Sequence, residues 1–592
     1  MAGNGASEGS KSRKRCFQLM RARLYNSPLA LAVLSALLLW MALPPLDFWP
    51  LAWIAPVGWI MLVRLPQLPG RRPYRNLLLV GFGFWLATVY WVGLAYWMAW
   101  FGLPPLAFYL ALYLPLFVSL ARIAVHGLKV PVIIAAPVIW TGLELVRGHL
   151  LGGFTMASLG HTQYRWLAVI QISDLVGAYG VSFLVMLVSA SLARMLPMPA
   201  AGAAGQPAVA IHPPGDDSPP QRFGDDRLCL WPLLPAAAAV GLSLVYGLWR
   251  ISDREASPVV ARVALIQGSI DTEIKFDEQM RNYVYEHYRQ LSRRALQTSR
   301  PPDDAVHLMV WPETMFRYPL LTYEAGAVKP PQFEGTQSQF TEELKVQSQQ
   351  SLAQLAEAAR SYGVHWIVGI DRWHFTAAGR IVAYNSAAFL LPDGRLLACY
   401  DKMHPVLFGE YWPLLDRFPE LEKRVPLGVS IAPGAAPVCF ELPGPHGPVR
   451  LSPNICYESV LPHLFRQQVL QLRAAGVEPD VLVNLTNDGW FRGSSELDLH
   501  LACAPFRAIE CRKPLLIAAN TGFSAWIDGN GRILRKGPRR DIDVIIADVQ
   551  RDHRRSLYLE WGDWFAGLCL AGCVAAAIGG LFCRWFGNPQ RS

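Results

Sequence analysis

The stretch VRLSPNICYE, residues 449–458, predicts a β-strand that ends at the thiol of Cys456. Two other strand-like stretches end in the same way at a charged side chain, VHLMVWPE at Glu313 and LLACYDK at Lys402. Open α/β sheets bind ligands just outside the ends of their strands. The three side chains are therefore expected to share one site in an α/β region.

A thiol, a carboxylate and an ammonium in one site suit acyl transfer. A thiol becomes a strong nucleophile once a base removes its proton, and Glu313 can be that base. Lys402 can stabilise the negative charge that develops on the attacked carbonyl oxygen. Taken singly, each residue has an ordinary alternative: a solvated loop carboxylate, a surface ammonium and, for Cys456, a small buried hydrophobe. Their common placement favours catalysis.

Strands alternate with helical stretches from about residue 258 to residue 550. The predicted strands are 262–267, 306–311, 365–370, 387–391, 396–400, 449–455, 480–485 and 515–518, and the predicted helices are 277–298 and 339–362. Pro-Asp-Gly at 392–394 and Asp-Gly-Asn-Gly at 528–531 predict hairpin turns. This order is typical of an α/β or α+β sandwich with the sheets in the middle. The irregular insertion at about 314–338 is expected to be either a mobile lid or a disordered excursion.

The rest of the chain has the composition of a membrane protein. Of all 592 residues in the chain, 52% are hydrophobic and 17% are charged, whereas about a quarter of the residues in a soluble domain are charged. A membrane-spanning helix needs about 20 mostly apolar residues. The candidate spans are 28–43, 48–63, 76–99, 106–120, 130–146, 166–193, 228–249 and, at the end of the chain, 561–583. The first two are short, and a re-entrant or tilted hairpin is the alternative there.

Seven spans within residues 28–250 and a last one over 561–583 put both chain ends on one side of the membrane. The tail of residues 1–27 carries six basic residues, which marks the cytoplasmic side. The Pro- and Gly-rich linker of about 196–227 then lies in the cytoplasm, and the α/β region lies in the periplasm. The net charge of +9 comes with no groove-reading motif, so no nucleic-acid partner is expected.

Ten cysteines are scattered without CxxC pairs or histidines at zinc-site spacing, so no metal site is predicted. No organic cofactor is predicted either. Five of the cysteines fall in the α/β region. An odd number there leaves at least one thiol free.

Three motifs, in this order, resemble those of the nitrilase superfamily of carbon-nitrogen hydrolases: WPE at 311–313, DKMHPVLFGEYWP at 401–413 and NICYES at 454–459. Joined to the N-terminal spans and the C-terminal span, they resemble the apolipoprotein N-acyltransferase family, a membrane-embedded branch of that superfamily. NLTNDGWF at 484–491, APFRAIE at 504–510 and NTGFSA at 520–525 resemble further segments of the family. The resemblance covers nearly the whole chain. It implies about eight transmembrane helices and an α/β nitrilase-like αββα sandwich.

The resemblance implies the same three catalytic roles and adds supporting positions. Glu410 is expected to support the site as a second carboxylate. Tyr457 and Glu458 are expected to flank the nucleophile and to shape the acyl or amine position. Asn385 and Trp490 match further functional positions, with a turn Asn and a packing Trp as the ordinary alternatives.

The implied reaction is a two-step acyl transfer between substrates that are both held in the bilayer. A membrane phospholipid acylates Cys456 and leaves as a lysophospholipid. The thioester then passes the acyl chain to the N-terminal amine of a diacylglyceryl-cysteine apolipoprotein. The spans keep the site at the membrane surface, where both substrates are concentrated. The resemblance also implies a monomer in the cytoplasmic (inner) membrane of a Gram-negative-type bacterium.

Three other readings compete with this one. A membrane-anchored, nitrilase-type amidase would use the same trio with water as the acceptor and a small amide or nitrile as the substrate. A catalytically silent scaffold would bind lipoproteins without needing all three catalytic residue types. A transporter would carry more ionisable residues in its spans than Glu144 and Asp174.

Overall fold

The computed structural model describes residues 27–196, 230–253, 257–298, 305–411 and 430–586. The predicted basic tail and the predicted linker fall outside these ranges, apart from residues 27 and 196 at their edges. Before residue 254 the described chain is helical. Its helices are α1 (Pro28–Ala42), α2 (Val57–Arg64), α3 (Pro73–Val89), α4 (Ala99–Ala111), α5 (Tyr113–Arg122), α6 (Val132–His149), α7 (Leu167–Ile170), α8 (Ser173–Met195) and α9 (Leu233–Ser252).

Within the described residues, six helical segments are long and apolar enough to cross a membrane: Pro73–Leu94, Ala99–Gly127, Val132–Gly152, Ser173–Met195, Leu233–Ser252 and Trp564–Phe582. They confirm the prediction of a multi-pass membrane protein. The first two predicted spans correspond to shorter apolar helices, Pro28–Ala42 and Trp49–Arg64. The 15 residues of α1 extend about 22 Å, less than the roughly 30 Å of a hydrocarbon core. The eight-span topology therefore stays a prediction.

The predicted span over 166–193 corresponds to the candidate span Ser173–Met195, which begins later than predicted. α7 ends at Ile170, the chain turns, and α8 begins at Ser173. Two buried polar side chains at this turn, Gln171 and Asp174, bond to the α/β region. Hydropathy alone does not register such a turn, because apolar residues flank it on both sides.

The α/β region follows α9 along the chain. Its elements are β1 (Val259–Gln267), α10 (Thr272–Phe276), α11 (Arg281–Thr298), β2 (Leu308–Val310), β3 (Phe316–Tyr323), α12 (Gln337–Tyr362), β4 (His365–Phe375), β5 (Ile381–Leu390), β6 (Leu396–Asp401), β7 (Phe440–Leu442), β8 (Val449–Ile455), α13 (Pro462–Ala474), β9 (Val481–Thr486), α14 (Glu496–Cys511), β10 (Leu515–Ala519), β11 (Ala525–Ile527), β12 (Ile533–Lys536) and β13 (Asp543–Gln550). One sheet has the order β13-β1-β2-β4-β5-β6, with β3 also paired to β4, and the other has the order β12-β11-β10-β9-β8-β7.

The two sheets pack face to face. Apolar side chains from both sheets fill the space between them, among them Val310, Ile367, Leu451, Val483 and Ala547. On the outer faces, α11 and α12 cover the first sheet, while α13 and α14 cover the second. Both faces of each sheet are buried, which explains the continuous apolar runs in the central strands. The predicted αββα sandwich is confirmed.

Part of the insertion at about 314–338, which the sequence predicts to be irregular, forms a strand. Residues Phe316–Tyr323 form β3, which runs parallel to the second half of β4. Pro319 lies within β3, where the pairing shifts register between Phe316 and Leu320. A proline is tolerated in an edge strand, because the missing N–H is not needed there. Because of this proline, the sequence pattern does not predict the strand.

The helical and α/β parts are joined by buried polar contacts. After β13 the chain forms α15 (Leu557–Trp561) and the apolar α16 (Trp564–Phe586), which packs against α6. Asp174 of α8 accepts hydrogen bonds from Arg250 at 2.8 Å and from Arg512 of the α/β region at 3.0 Å. Gln171 donates to the carbonyl of Asn530 at 2.9 Å. Asp174 is thus an anchor between the two parts.

Candidate active site

Four strands end at one edge of the sandwich, and a polar residue follows each of them. β2, β4 and β6 run in one direction in the first sheet, and β8, β9 and β10 run parallel in the second. The residues that follow β2, β6, β8 and β9 are Glu313, Lys402, Cys456 and Asn487. The backbone N–H of Asn487 donates to Oε2 of Glu313 at 2.9 Å, across the two sheets. The predicted trio therefore lies at one shared edge.

Glu313 is held in place from several sides. Asn385 of β5 donates its side-chain amide to Oε1 of Glu313 at 2.6 Å. Gly369 of β4 lies directly beside the Glu313 backbone, and a Cβ at position 369 would come within 2.7 Å of the Glu313 Cα. Thr314 takes the left-handed region at φ +51°, which ends the turn sharply. Neighbouring strands thus fix the position of this carboxylate.

Lys402 is fully buried and lies between two carboxylates. Its Nζ atom is 2.8 Å from Oε2 of Glu410 and 3.5 Å from Oε1 of Glu313. Glu410 also accepts a hydrogen bond from the backbone N–H of Val406 at 2.8 Å, so the loop after Lys402 folds back over it. The predicted role of Glu410 as a second carboxylate agrees with this placement.

Cys456 lies at a strained corner. It takes φ +52°, and a short 3-10 helix, Cys456–Val460, begins at this residue. A left-handed conformation costs a residue with a side chain about 1–2 kcal/mol. Two donors hold the Cys456 carbonyl, the hydroxyl of Ser459 at 3.0 Å and the side-chain amide of Asn484 at 3.2 Å. The neighbouring structure therefore maintains the strain, as is common at functional sites.

The charges around Cys456 keep its proton in place at rest. Burial and the nearby Glu313 carboxylate raise the pKa of the Cys456 thiol, and Lys402 opposes this only in part. Burial also raises the pKa of Glu313, again against the pull of Lys402. Burial alone would lower the pKa of Lys402, but Glu410 and Glu313 outweigh burial and raise it. The site thus combines a protonated thiol, a carboxylate with a raised pKa and a charged ammonium.

Glu458 connects the loop after Lys402 to the turn at Cys456. Its carboxylate accepts hydrogen bonds from the Tyr400 hydroxyl and from the backbone N–H groups of Met403, His404 and Ile455, at 2.6–3.0 Å. These bonds tie the residues after Lys402 to the Cys456 turn. Glu458 is therefore placed to support the site through the backbone.

Tyr457 and Trp490 lie on different sides of the site. The Tyr457 hydroxyl donates to the carbonyl of Gly153, in the loop after α6. Trp490 is in the 3-10 turn that follows β9, and its ring centroid is 5.0 Å from that of Phe276. Tyr457 thus faces the membrane helices, while Trp490 packs over the end of α10.

A second buried ammonium near Glu313 escaped the sequence reading as a site residue. Lys275 at the end of α10 donates to the Thr314 hydroxyl, and burial lowers its pKa to about 8 even though Asp371 and Glu313 oppose this. Asn487, which holds Glu313 through its backbone, was missed as well. A backbone donor has no signature in the sequence, whereas the lysine lies in a segment with the ordinary spacing of a surface helix.

Three buried side chains near the Cys456 turn have metal-ligating atoms within 4.8 Å of one another: Asp488, Glu496 and His500. His500 Nδ1 lies 3.1 Å from Oδ1 of Asp488 and 3.8 Å from Oε1 of Glu496. Carboxylate and imidazole ligands of this kind suit a transition-metal ion. The same short contact from His500 to Asp488 is also an ordinary hydrogen bond.

Two family models match the chain: apolipoprotein N-acyltransferase N-terminal domain over residues 35–191 and carbon-nitrogen hydrolase over residues 262–558. The apolipoprotein N-acyltransferase of Geobacter metallireducens is 32% identical over 92% of this chain and 94% of the relative. That of Rhodopirellula baltica is 30% identical over 90% of this chain and 93% of the relative. Among solved structures, a carbon-nitrogen hydrolase from Helicobacter pylori is 17% identical with a TM-score of 0.34, over 52% of this chain and 94% of that chain.

Proposed function

Because the chain belongs to the apolipoprotein N-acyltransferase family, we propose that it transfers an acyl chain to the amino terminus of apolipoproteins at a membrane surface. The observation that carries this function is the convergence of Cys456, Glu313 and Lys402 at one edge of the sandwich. That edge faces the loop that follows the apolar helix α6. A thiol nucleophile beside the membrane suits an acyl group that comes from a lipid.

The acyl donor in this proposal is a membrane phospholipid. The loop after Lys402 supports this, because it carries the exposed ring of Phe408, which is 54% accessible, next to the membrane helices. The carbonyl of Phe408 accepts a hydrogen bond from Tyr96, which follows α3, at 3.1 Å. We infer that the acyl chain of the donor contacts this exposed aromatic ring.

In the first half-reaction, Glu313 takes the thiol proton as the Cys456 sulfur attacks the ester carbonyl of the donor. Lys402 and a backbone N–H at the start of the 3-10 helix stabilise the oxyanion. The tetrahedral intermediate collapses, the C–O bond breaks, and Glu313 returns the proton to the departing lysophospholipid oxygen. The products are a thioester on Cys456 and a free lysophospholipid.

In the second half-reaction, the amine of a diacylglyceryl-cysteine apolipoprotein attacks the thioester carbonyl. Glu313 accepts a proton from the attacking nitrogen, and Lys402 again holds the oxyanion. The C–S bond breaks, the sulfur regains a proton from Glu313, and an amide remains on the apolipoprotein. The enzyme returns to its starting state without a cofactor taking part in these steps.

Charge and the predicted topology support a location for the site. The six basic residues before residue 28 support a cytoplasmic N-terminus. Seven predicted spans precede the sandwich and one follows it. The sandwich therefore lies on the side opposite both chain ends, which is the periplasm in a Gram-negative-type bacterium. We place the protein in the inner membrane as a monomer, with its catalytic domain between β1 and β13 and seven predicted spans before it.

The decisive experiment supplies the purified protein with a phospholipid that carries a labelled acyl chain and with a synthetic diacylated lipopeptide. Transfer of the label to the peptide amine, seen as an added acyl mass, is the expected result. Cys456→Ala should lower the rate at least roughly 10³-fold. Cys439→Ala is the matched control, since Cys439 is another free thiol of the sandwich. Release of labelled fatty acid alone would instead favour a hydrolase.

A further inference from the structure

Behind the Cys456 turn lies a chain of three buried polar side chains. The Ser459 hydroxyl is 3.0 Å from the Cys456 carbonyl oxygen and 2.7 Å from Nε2 of His500. The Nδ1 atom of His500 is 3.1 Å from Oδ1 of Asp488. Ser459, His500 and Asp488 are 1%, 5% and 3% exposed, respectively. None of them takes part in the acyl-transfer steps described above.

The donor is fixed in one of these hydrogen bonds, the one between Ser459 and Cys456. Ser459 has a single hydroxyl proton, and the Cys456 carbonyl can only accept, so the hydroxyl donates to that carbonyl. Nε2 of His500 contacts the Ser459 oxygen and Nδ1 contacts Asp488, whichever nitrogen carries the ring proton. His500 is thus oriented from both of its nitrogens.

Asp488 also connects this chain to the base. The preceding residue, Asn487, donates its backbone N–H to Glu313, so adjacent residues of one turn contact the base and His500. The Thr486 hydroxyl holds Asp488 at 2.9 Å. Gly522 lies against the Asp488 carboxylate so closely that any side chain there would collide with it. The turn after β9 is therefore fixed relative to both halves of the site.

We propose that Asp488, His500 and Ser459 form a positioning relay that holds Cys456 in its left-handed conformation with the thiol towards Glu313. The proposal rests on the proposed role of Cys456 as the nucleophile. The relay acts on the carbonyl of Cys456 and touches no substrate. The relay stabilises the strained conformation of Cys456, because in a relaxed conformation the thiol would point away from Glu313.

The test measures how fast iodoacetamide alkylates Cys456 in the full-length protein, followed by peptide mass. Ser459→Ala should slow alkylation roughly tenfold, the effect of losing one buried hydrogen bond at a strained site. Ser452→Ala is the matched control. Ser452 is also fully buried, lies in β8 just before the same turn and loses hydrogen bonds to Val438 and Gln468. It should leave the alkylation rate within about twofold of the wild type.

A second variant keeps the test valid if Ser459→Ala does not fold. His500→Gln should slow alkylation in the same direction. The double variant should be no slower than Ser459→Ala alone, because both act through one hydroxyl. Thermal unfolding of each variant separates a loss of fold from a loss of positioning. Equal rates for Ser459→Ala and Ser452→Ala, or fully additive effects in the double variant, would overturn the relay.

An EDTA treatment tests whether the three side chains hold a metal ion, and the acylation assay separates the relay from the proposed function. EDTA should leave the alkylation rate unchanged. A rate that falls with EDTA and returns with Zn²⁺ would mean that Asp488, Glu496 and His500 hold a cation, which also overturns the relay. Alkylation needs neither lipid nor peptide, so it tests the relay by itself. If the wild-type protein fails to acylate a lipopeptide, only the proposed function fails.

Discussion

The Tyr457 hydroxyl donates a 2.8 Å hydrogen bond to the carbonyl of Gly153. This bond joins the residue after the nucleophile to the loop that follows a membrane helix. Gly153 takes φ +80°, and a Cβ there would lie 3.0 Å from Leu461 and would collide with the Gly148 carbonyl. The loop thus needs glycine at this position to reach Tyr457. The catalytic corner and the membrane helices are therefore fixed to each other.

Tyr457→Phe should separate this link from catalysis. It removes one partly buried hydrogen bond and keeps the ring, so we expect a loss of about 1 kcal/mol in the free energy of unfolding. Transfer to the lipopeptide should fall a few-fold, while alkylation of Cys456 should stay near the wild-type rate. Tyr323→Phe, an exposed tyrosine of β3, is the control. Alkylation that falls as far as transfer would contradict this division.

Glu313→Gln should abolish acyl transfer, because an amide cannot take the thiol proton. In the wild type, the rate should fall as the pH drops through the pKa of Glu313, which burial raises above its ordinary value. The pH profile of labelled acyl-enzyme formation measures this. An acid limb at the ordinary carboxyl pKa would mean that a different group is the base.

The same variant has a defined effect on stability. Because burial raises the folded-state pKa of Glu313, its protonated form stabilises the fold below the unfolded pKa, and this stability is lost as the pH rises through the folded pKa. A glutamine does not titrate, so the stability of Glu313→Gln does not fall with pH for this reason. Its thermal stability should therefore increase relative to the wild type between pH about 4.5 and the raised pKa. A difference that is flat across this window would contradict the shift.

Lys402→Met should destabilise the sandwich as well as inactivate the site. It leaves Glu313 and Glu410 buried without their ammonium, and breaking a buried ion pair costs about 3–5 kcal/mol. Adding Glu410→Gln should recover part of the stability but none of the activity. Denaturant unfolding of Lys402→Met, of Glu410→Gln and of the double variant gives a double-mutant cycle for the two side chains. Additive losses of stability would show that the two side chains are not coupled.

Gly369→Ala should impair both folding and catalysis. The added methyl group would press on the backbone on both sides of Glu313, including its Cα at 2.7 Å, and would displace the base from the thiol. A displacement of about 1 Å can cost on the order of 10²-fold in rate. Gly241→Ala in α9 is the control, because a Cβ there meets no atom within 4 Å. Unchanged transfer by Gly369→Ala would mean that Glu313 tolerates movement.

Glu313 and Cys456 could be predicted because each closely follows a buried apolar strand, β2 or β8, whereas Lys402 follows the edge strand β6. Central strands of a sandwich are buried on both faces, so their sequences are continuous apolar runs that end where polar residues begin. Glu410 and Asn385 followed from the motif resemblance, and their contacts to Lys402 and Glu313 agree with it. β3 could not be predicted, because Pro319 interrupts the strand pattern.

The sequence by itself determined the apolar helices, the sandwich and which three residues are the candidates for nucleophile, base and ammonium, since composition, periodicity and order along the chain carry that information. Only the tertiary structure decided how these groups are held. The backbone N–H of Asn487 on Glu313, Glu458 on the loop after Lys402 and Tyr457 on Gly153 join residues 55–304 positions apart. Such contacts depend on how two sheets and a helical domain dock, which no local pattern encodes.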